Sequence, residues 1–145
     1  MDKYVVTFEQ AKLLKYAGFP QDTAYKYHQV IVTGEVKLIA GDFEELTIGG
    51  KQTRAFAAPM TDEIREQLPD KINDRYVKLE IRTLGRYTNM PMLVEETLHA
   101  VSREQMYHPN YNELAFNEDN KLETLANALS VLWLWLKEQD SLTLP

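Results

Sequence analysis

The chain has 145 residues and a formal net charge of −6 at pH 7, and its 44% apolar and 26% charged residues are close to the average of folded proteins. This composition argues against wholesale disorder and against a polybasic nucleic-acid binder. Because the chain contains no cysteine, disulfides, thiolate metal sites and cysteine nucleophiles are excluded. No apolar run reaches the roughly 18 residues of a membrane span, and the N-terminus lacks a secretory-signal pattern, so we expect a cytoplasmic protein.

The first predicted element is a helix that begins after Thr7. Thr7 is a favourable N-cap residue, and Gln10, three residues later, completes the pattern of a capping box. Gly18 and Pro20 are typical of the residues that follow the end of a helix. Helical spacing gives one apolar face that we expect to be buried, made of Ala11, Leu13, Leu14 and Ala17.

A β-rich stretch is predicted next. Residues 25–32 and 36–40 have strand composition, with an interruption at Gly34. Residues 48–51 read Ile-Gly-Gly-Lys, and adjacent glycines favour a two-residue hairpin turn because they adopt positive φ at little cost. Residues 54–58 are the predicted returning strand.

A short helix and a long strand are predicted in the middle of the chain. Thr61 is the candidate N-cap of the helix, Ile64 and Leu68 lie on one face, and Pro69 ends it. Residues 76–84 alternate between apolar and charged side chains, which predicts a strand with one wet face that ends at Gly85.

Residues 86–118 carry the weakest pattern. Pro91 followed by Val94, Leu98 and Val101 fits a helix with proline in its first turn, and this helix is our prediction. A short edge strand in the same segment stays open as the alternative. Residues 107–112 have the composition of a loop.

The last predicted element is a long C-terminal helix. Asn120 is its candidate N-cap, and Glu123 lies three residues later. Lys137 stands near the predicted C-terminus, where the helix dipole favours a positive charge. One broad apolar stripe contains Leu122, Leu125, Ala126, Leu129, Leu132, Trp133 and Leu136.

This C-terminal helix has more apolar residues than one buried face needs. Its surplus consists of Ala128, Val131, Leu134 and Trp135, which lie outside the main stripe. Either another segment of the same chain covers them, or they form a subunit contact, because exposed apolar patches mark interaction sites. The second interpretation makes these four residues a candidate homodimer interface with Trp135 as its anchor.

No motif in the chain predicts catalysis, a cofactor or a metal ion. Residues 49–53 lack the glycine and the hydroxyl residue that a phosphate-binding loop needs around its Gly-Lys pair. Glu96 and His99 have the spacing of a di-iron ligand pair, but such sites need two copies. Neither Ser130 nor Ser141 lies in a nucleophile motif. We therefore expect no enzyme, no cofactor and no metal site.

Three segments in order resemble small uncharacterised proteins of bacterial prophages and mobile elements. They are EQAKLLKYAGFPQDT at residues 9–23, APMTDEI at 58–64 with Leu-Pro at 68–69, and LANALSVLWLWLKE at 125–138. This resemblance implies a bacterial or phage origin and a soluble protein, with no catalytic residue to carry over. The last segment is also similar, more distantly, to antitoxin domains of the HicB type, which would imply a dimeric binding module.

The expected fold class is α+β in a single domain over residues 1–145. An antiparallel sheet or ribbons would be packed by the N-terminal helix, the short middle helix and the long C-terminal helix. The expected function is that of a non-catalytic, phage-related accessory or protein-interaction protein that forms a homodimer through the C-terminal helix; a HicB-like antitoxin or regulatory module is the alternative. We expect no membrane partner, and the net charge disfavours nucleic acid even though the chain has eight tyrosines.

Overall fold

A computed structural model describes residues 4–84, 87–96, 105–111 and 122–139. Its first helix, α1, spans Phe8–Tyr16, as predicted. The Thr7 hydroxyl caps it by accepting a bond from the Gln10 amide at 3.4 Å. The predicted buried face is wrong at Leu13, which is 45% exposed, because Gln10 lies on the buried side together with Ala11 and Leu14. The helix therefore presents a polar side chain to the core.

The first sheet contains four antiparallel strands in the order β2-β1-β4-β3. Their bounds are Tyr25–Val30 for β1, Val36–Ala40 for β2, Thr47–Ile48 for β3 and Lys51–Ala57 for β4. The predicted hairpin turn between β3 and β4 is confirmed, with φ of +58° at Gly49 and +77° at Gly50. β1 ends at Val30, so the next residues form the turn to β2 and are not part of a strand.

The second helix, α2, spans Thr61–Glu66. Its N-cap is Met60, so the prediction of Thr61 as the cap is wrong by one residue. The Glu63 carboxylate explains the earlier start: Oε1 accepts from the Met60 amide at 2.9 Å, and Oε2 accepts from the Ala24 amide at 3.0 Å. Glu63 thereby begins α2 and ties it to the segment just before β1.

The second sheet is also antiparallel, with the strand order β5-β6-β7-β8. Its strands span Lys71–Ile72, Arg75–Leu84, Tyr87–Glu95 and Met106–Tyr107. β6 confirms the predicted alternating strand, while its predicted end at Gly85 lies outside the described residues. β5 and β6 are joined through Asn73 and Asp74, both with positive φ, in a hairpin that the sequence patterns did not reveal.

The predicted helix starting near Pro91 is wrong, because residues 87–95 form β7. The Glu96 amide donates to the Tyr76 carbonyl of β6, and the Glu95 amide donates to the Gln105 carbonyl on the other side. The main-chain groups of successive β7 residues therefore face β6 and the opposite side in turn. By this alternation Pro91 points away from β6, where a missing N–H breaks no bond of that pairing. Leu98 and Val101 lie outside the described residues.

The C-terminal helix, α3, spans Leu125–Glu138. The Thr124 side chain caps α3 by accepting a hydrogen bond from the Asn127 amide at 3.2 Å. The helix therefore begins later than predicted, and the predicted cap, Asn120, lies outside the described residues. Within the described residues α3 packs between the sheets: Leu129 and Trp133 join a core cluster with α1 and the first sheet, while Leu132 and Leu136 join another with the second sheet.

This arrangement of three described helices and two antiparallel sheets is of the α+β class, as predicted. Among the described residues, none of the helices is long and apolar enough to cross a membrane.

Candidate functional site

Two of the four candidate interface residues on α3 lie inside the chain's own core. Ala128 is fully buried and Val131 is 7% exposed. They form one cluster with Tyr111 and Leu122, so segments of the same chain cover this side of the helix. Their burial needs no second subunit.

The other two candidate interface residues are only partly buried. Leu134 packs against the core cluster of the first sheet, and Trp135 packs against that of the second sheet. The structure therefore separates the predicted patch into a covered pair and a partly exposed pair.

Tyr111 is a residue whose part in covering α3 the sequence did not reveal. Its hydroxyl donates to the Pro91 carbonyl, and its side chain is 3% exposed. Burial raises the pKa of the Tyr111 phenol. The His108 ring stacks on Tyr111 with a centroid separation of 5.9 Å. A tyrosine in a polar segment gave no signal of this burial.

The main chain of β2 forms an edge of the first sheet without a paired strand among the described residues. The bonds from Val30 to Glu35 and from Gly41 to Ala24 set the alternation of the β1–β2 ladder. The main-chain groups of Val36, Leu38 and Ala40 consequently point away from β1. We call these three residues the β2 edge.

On the opposite side of the same sheet, the part of β4 that extends beyond the two-residue strand β3 is covered. Along β4, the Thr53 amide donates to the Leu46 carbonyl at 3.1 Å. The Lys15 ammonium donates to the Ala55 carbonyl at 2.7 Å. The Ala57 amide donates to the Gln21 side chain at 2.9 Å. Three consecutive outward-facing residues of β4 thus have partners, whereas the described residues supply none to the β2 edge.

Part of β6 is another uncovered edge in the described part of the chain. The Val77 amide donates to the Asp70 carbonyl at 2.9 Å, but Leu79 and Ile81, which point the same way, have no main-chain partner there. The pairing of β6 shifts in register after Arg82. Such an irregularity twists an edge away from further pairing.

Charged side chains also mark this stretch of β6. Arg82 Nη2 lies 2.8 Å from Glu80 Oε2, and Lys78 Nζ lies 3.6 Å from Glu80 Oε1. The hydrogen bond from Arg82 lowers the pKa of the Glu80 carboxyl. Charges along an edge strand discourage the addition of another strand. Strand β2 has one charged residue between Val36 and Ala40, which is Lys37.

Exposed apolar side chains stand at both ends of β2. Ile31 and Val32, in the turn before β2, are 52% and 75% exposed. Phe43, just after β2, is 49% exposed. The Phe43 ring lies over Gly41, where a Cβ would collide with it. The β2 edge is therefore flanked by apolar surface at each end.

A polar groove of about 420 Å³ lies beside β4, and cationic side chains from α1, β1 and β4 line it. Lys15, Lys26 and Arg54 line it together with Glu44 and Glu45. Burial lowers the pKa of the Lys15 ammonium, and the charges of Arg54 and Lys26 lower it further. Lys26 Nζ is 2.6 Å from Asp42 Oδ1, an ion pair that holds the loop after β2 against the sheet.

His28 is a buried residue of β1. Its Nδ1 is 3.4 Å from the Thr53 hydroxyl, which itself donates to the Leu46 carbonyl at 2.7 Å. Because that hydroxyl has a single proton, His28 Nδ1 is the donor to Thr53, and its Nε2 has no hydrogen-bond partner within the described ranges. Burial lowers the pKa of the imidazole, and the nearby Lys26 charge lowers it further.

The residues singled out for chemistry form no reactive cluster in the described ranges. Ser130 Oγ donates to the Asn127 carbonyl at 2.6 Å and accepts from Gln10 Nε2 at 2.9 Å, so its hydroxyl is engaged in packing α1 on α3. Across residues 4–84, 87–96, 105–111 and 122–139, no group of His, Asp or Glu side chains is arranged to hold a metal ion. His99 and Ser141 lie outside these ranges.

Comparison with known proteins found no matching family model, no matching curated protein and no matching solved structure.

Proposed function

We propose that this protein is a non-catalytic protein-interaction protein, which binds an extended segment of a partner chain along the β2 edge. The observation that carries the proposal is the row of main-chain groups at Val36, Leu38 and Ala40, which have no hydrogen-bond partner among the described residues. An exposed strand edge is complementary to another strand, which adds to the sheet through main-chain hydrogen bonds.

Side chains would add to these bonds. Val36 and Leu38 pack only partly against the core, so an added strand has apolar surface to cover. A main-chain hydrogen bond contributes about 0.5–1.5 kcal/mol net, so three residues support weak binding and side-chain contacts must supply the rest.

The proposal includes the predicted kinship with accessory proteins of prophages and mobile elements, which rests on the three sequence segments alone. A binding role requires no reactive group, and this fits a sequence in which no catalytic or metal-binding motif was found.

Amide hydrogen exchange measured by NMR tests the proposal. The probe is a synthetic peptide with the sequence EVKLIAGD, residues 35–42, added in excess to dilute protein. We expect the amides of Val36, Leu38 and Ala40 to exchange rapidly in the free protein and slowly with peptide. The amides of Leu79 and Ile81 on β6 are the internal control and should not change. Edge amides that are already protected in dilute protein, or that the peptide leaves unprotected, would refute the proposal.

A matched pair of variants at Ala40 localises the binding. Ala40→Pro removes one outward-facing N–H without touching the β1 pairing, and proline is tolerated at such edge positions. Ala40→Val keeps the N–H at the same exposed site. We expect the peptide to protect the edge in Ala40→Val only, with unchanged circular dichroism in both variants. Equal protection of the edge amides in the two variants would show that the outward N–H of residue 40 does not contribute to peptide binding, and this would contradict the proposal.

A further inference from the structure

We infer that the strand bound by the β2 edge is β2 of a second copy of this chain, in antiparallel pairing about a two-fold axis at Leu38. This inference rests on the proposed function, because it names the partner for the same edge. It places the homodimer contact on the first sheet and not on α3.

The alternation of β2 selects the register. Only Val36, Leu38 and Ala40 point outward, so hydrogen-bonded pairs form among these residues. Centring the pair on Leu38 sets Leu38 opposite itself and Val36 opposite Ala40 of the second copy, which uses every outward residue. A shift of the centre to residue 37 would place two lysines directly opposite each other, which is unfavourable.

The flanking apolar residues point to the same partner. Antiparallel pairing brings the start of one β2 next to the end of the other. Ile31 and Val32 of one copy would therefore approach Phe43 of the second copy, and the two-fold axis repeats this contact. All three side chains are about half exposed or more in the single chain. An isologous contact of this kind closes on itself and forms a dimer, not a filament.

The size of the contact predicts a dissociable dimer. A stable interface usually buries about 800 Å² on each partner. Five strand residues with apolar contacts at two ends provide a limited area, and we expect a dimer that dissociates on dilution.

The two-fold register predicts two distances that differ greatly. Residues 37 of the two copies are diagonal neighbours, whose Cα atoms lie about 7–8 Å apart. Residues 51 lie on β4, and the two β4 strands are separated by five strand spacings, or about 24 Å. The register also displaces the two residues by about ten residues along the strand direction, so their Cα atoms lie about 40 Å apart.

The test measures these distances together with the oligomeric state. The native chain has no cysteine, so single spin labels can be attached to the exposed sites Lys37→Cys and Lys51→Cys. Sedimentation equilibrium and electron–electron distance measurements on the full chain should show a dimer with a short distance at 37 and a long one at 51. Ala40→Pro should abolish the dimer, and Ala40→Val should retain it.

Each contrary outcome has a distinct meaning. A monomer at all concentrations whose β2 amides are still protected by EVKLIAGD overturns the second-copy inference and leaves the proposed function standing. A monomer that also ignores the peptide overturns both. A dimer that Trp135→Glu dissociates and Ala40→Pro does not would place the contact on α3 and overturn the inference.

Discussion

Individual polar side chains join α1 to α3 in the interior. The Thr7 amide, which Gln10 would bind in a capping box, instead donates to Asn127 Oδ1 at 2.8 Å. Gln10 Nε2 in turn reaches Ser130. Gln10, Asn127 and Ser130 are buried, and a buried polar group is costly when it loses its partner. The pairs therefore fix the position of one helix on the other.

We predict that Asn127→Ala lowers the free energy of unfolding by about 0.5–1.5 kcal/mol, because it removes the acceptor of the Thr7 amide and the hydrogen bond that joins the start of α1 to α3. Urea denaturation followed by circular dichroism measures the change. Glu138→Ala, at an exposed site on the same helix, is the control and should change the free energy by less than about 0.5 kcal/mol. A similar small effect at Asn127 would contradict the structural role assigned to this pair.

We expect the buried His28 to make the free energy of unfolding depend on pH. Its folded-state pKa is lowered by burial, so below about pH 6.5 the unfolded chain binds a proton that the folded chain does not. The free energy of unfolding should then fall as the pH falls, with a slope of at most about 1.4 kcal/mol per pH unit from this group.

Urea denaturation between about pH 7 and 5 tests this prediction. We expect His28→Gln to flatten the pH dependence, since glutamine does not titrate. His108→Gln controls for the loss of a histidine elsewhere. An equally steep profile in His28→Gln and the native protein would exclude His28 as the source.

At the scale of elements, local signals predicted α1, the hairpin after β3 and β6. The Thr7 hydroxyl caps α1 by accepting from the amide of Gln10, only three residues away, and Gly49 and Gly50 alone set the hairpin turn. β7 was not predicted by such local signals. Pro91 is compatible with this strand because its main-chain nitrogen faces away from β6, so the β6–β7 pairing needs no N–H from it. That condition depends on pairing between distant residues, so the sequence favoured a helix there.

We predict that Tyr111→Phe destabilises the protein by about 1–3 kcal/mol, because the Pro91 carbonyl loses its donor in a buried place. The free energy of unfolding in urea measures this, and Tyr16→Phe, at a side chain 74% exposed, is the control. If both substitutions have the same small effect, the Tyr111 hydroxyl does not hold β7 against the segment that covers α3.

At the scale of the whole molecule, α3 packs against both sheets and against Tyr111. Its apolar surplus was visible in the sequence, and two residues of it, Ala128 and Val131, are buried by the chain itself. The candidate β2 edge could not be predicted in the same way. Strand composition identified β2, but only the strand order shows that β1 pairs with it on one side and that the described residues leave the other side unpaired.

In the part of the chain that the structure describes, the outward groups of β4 have hydrogen-bond partners and those of the β2 edge have none, so β2 is where we expect two copies to associate. If β2 is the surface through which two copies associate, removing one outward N–H must weaken association, while a larger side chain at the same site must not. Stability within the monomer should change little in either variant, because Ala40 is exposed and its outward groups bond to no described residue.

Sedimentation equilibrium of the native protein, Ala40→Pro and Ala40→Val over a wide concentration range is the most direct test. Our prediction is a reversible monomer–dimer equilibrium for the native protein and Ala40→Val, and a monomer for Ala40→Pro. A dimer of equal strength in all three proteins would contradict it.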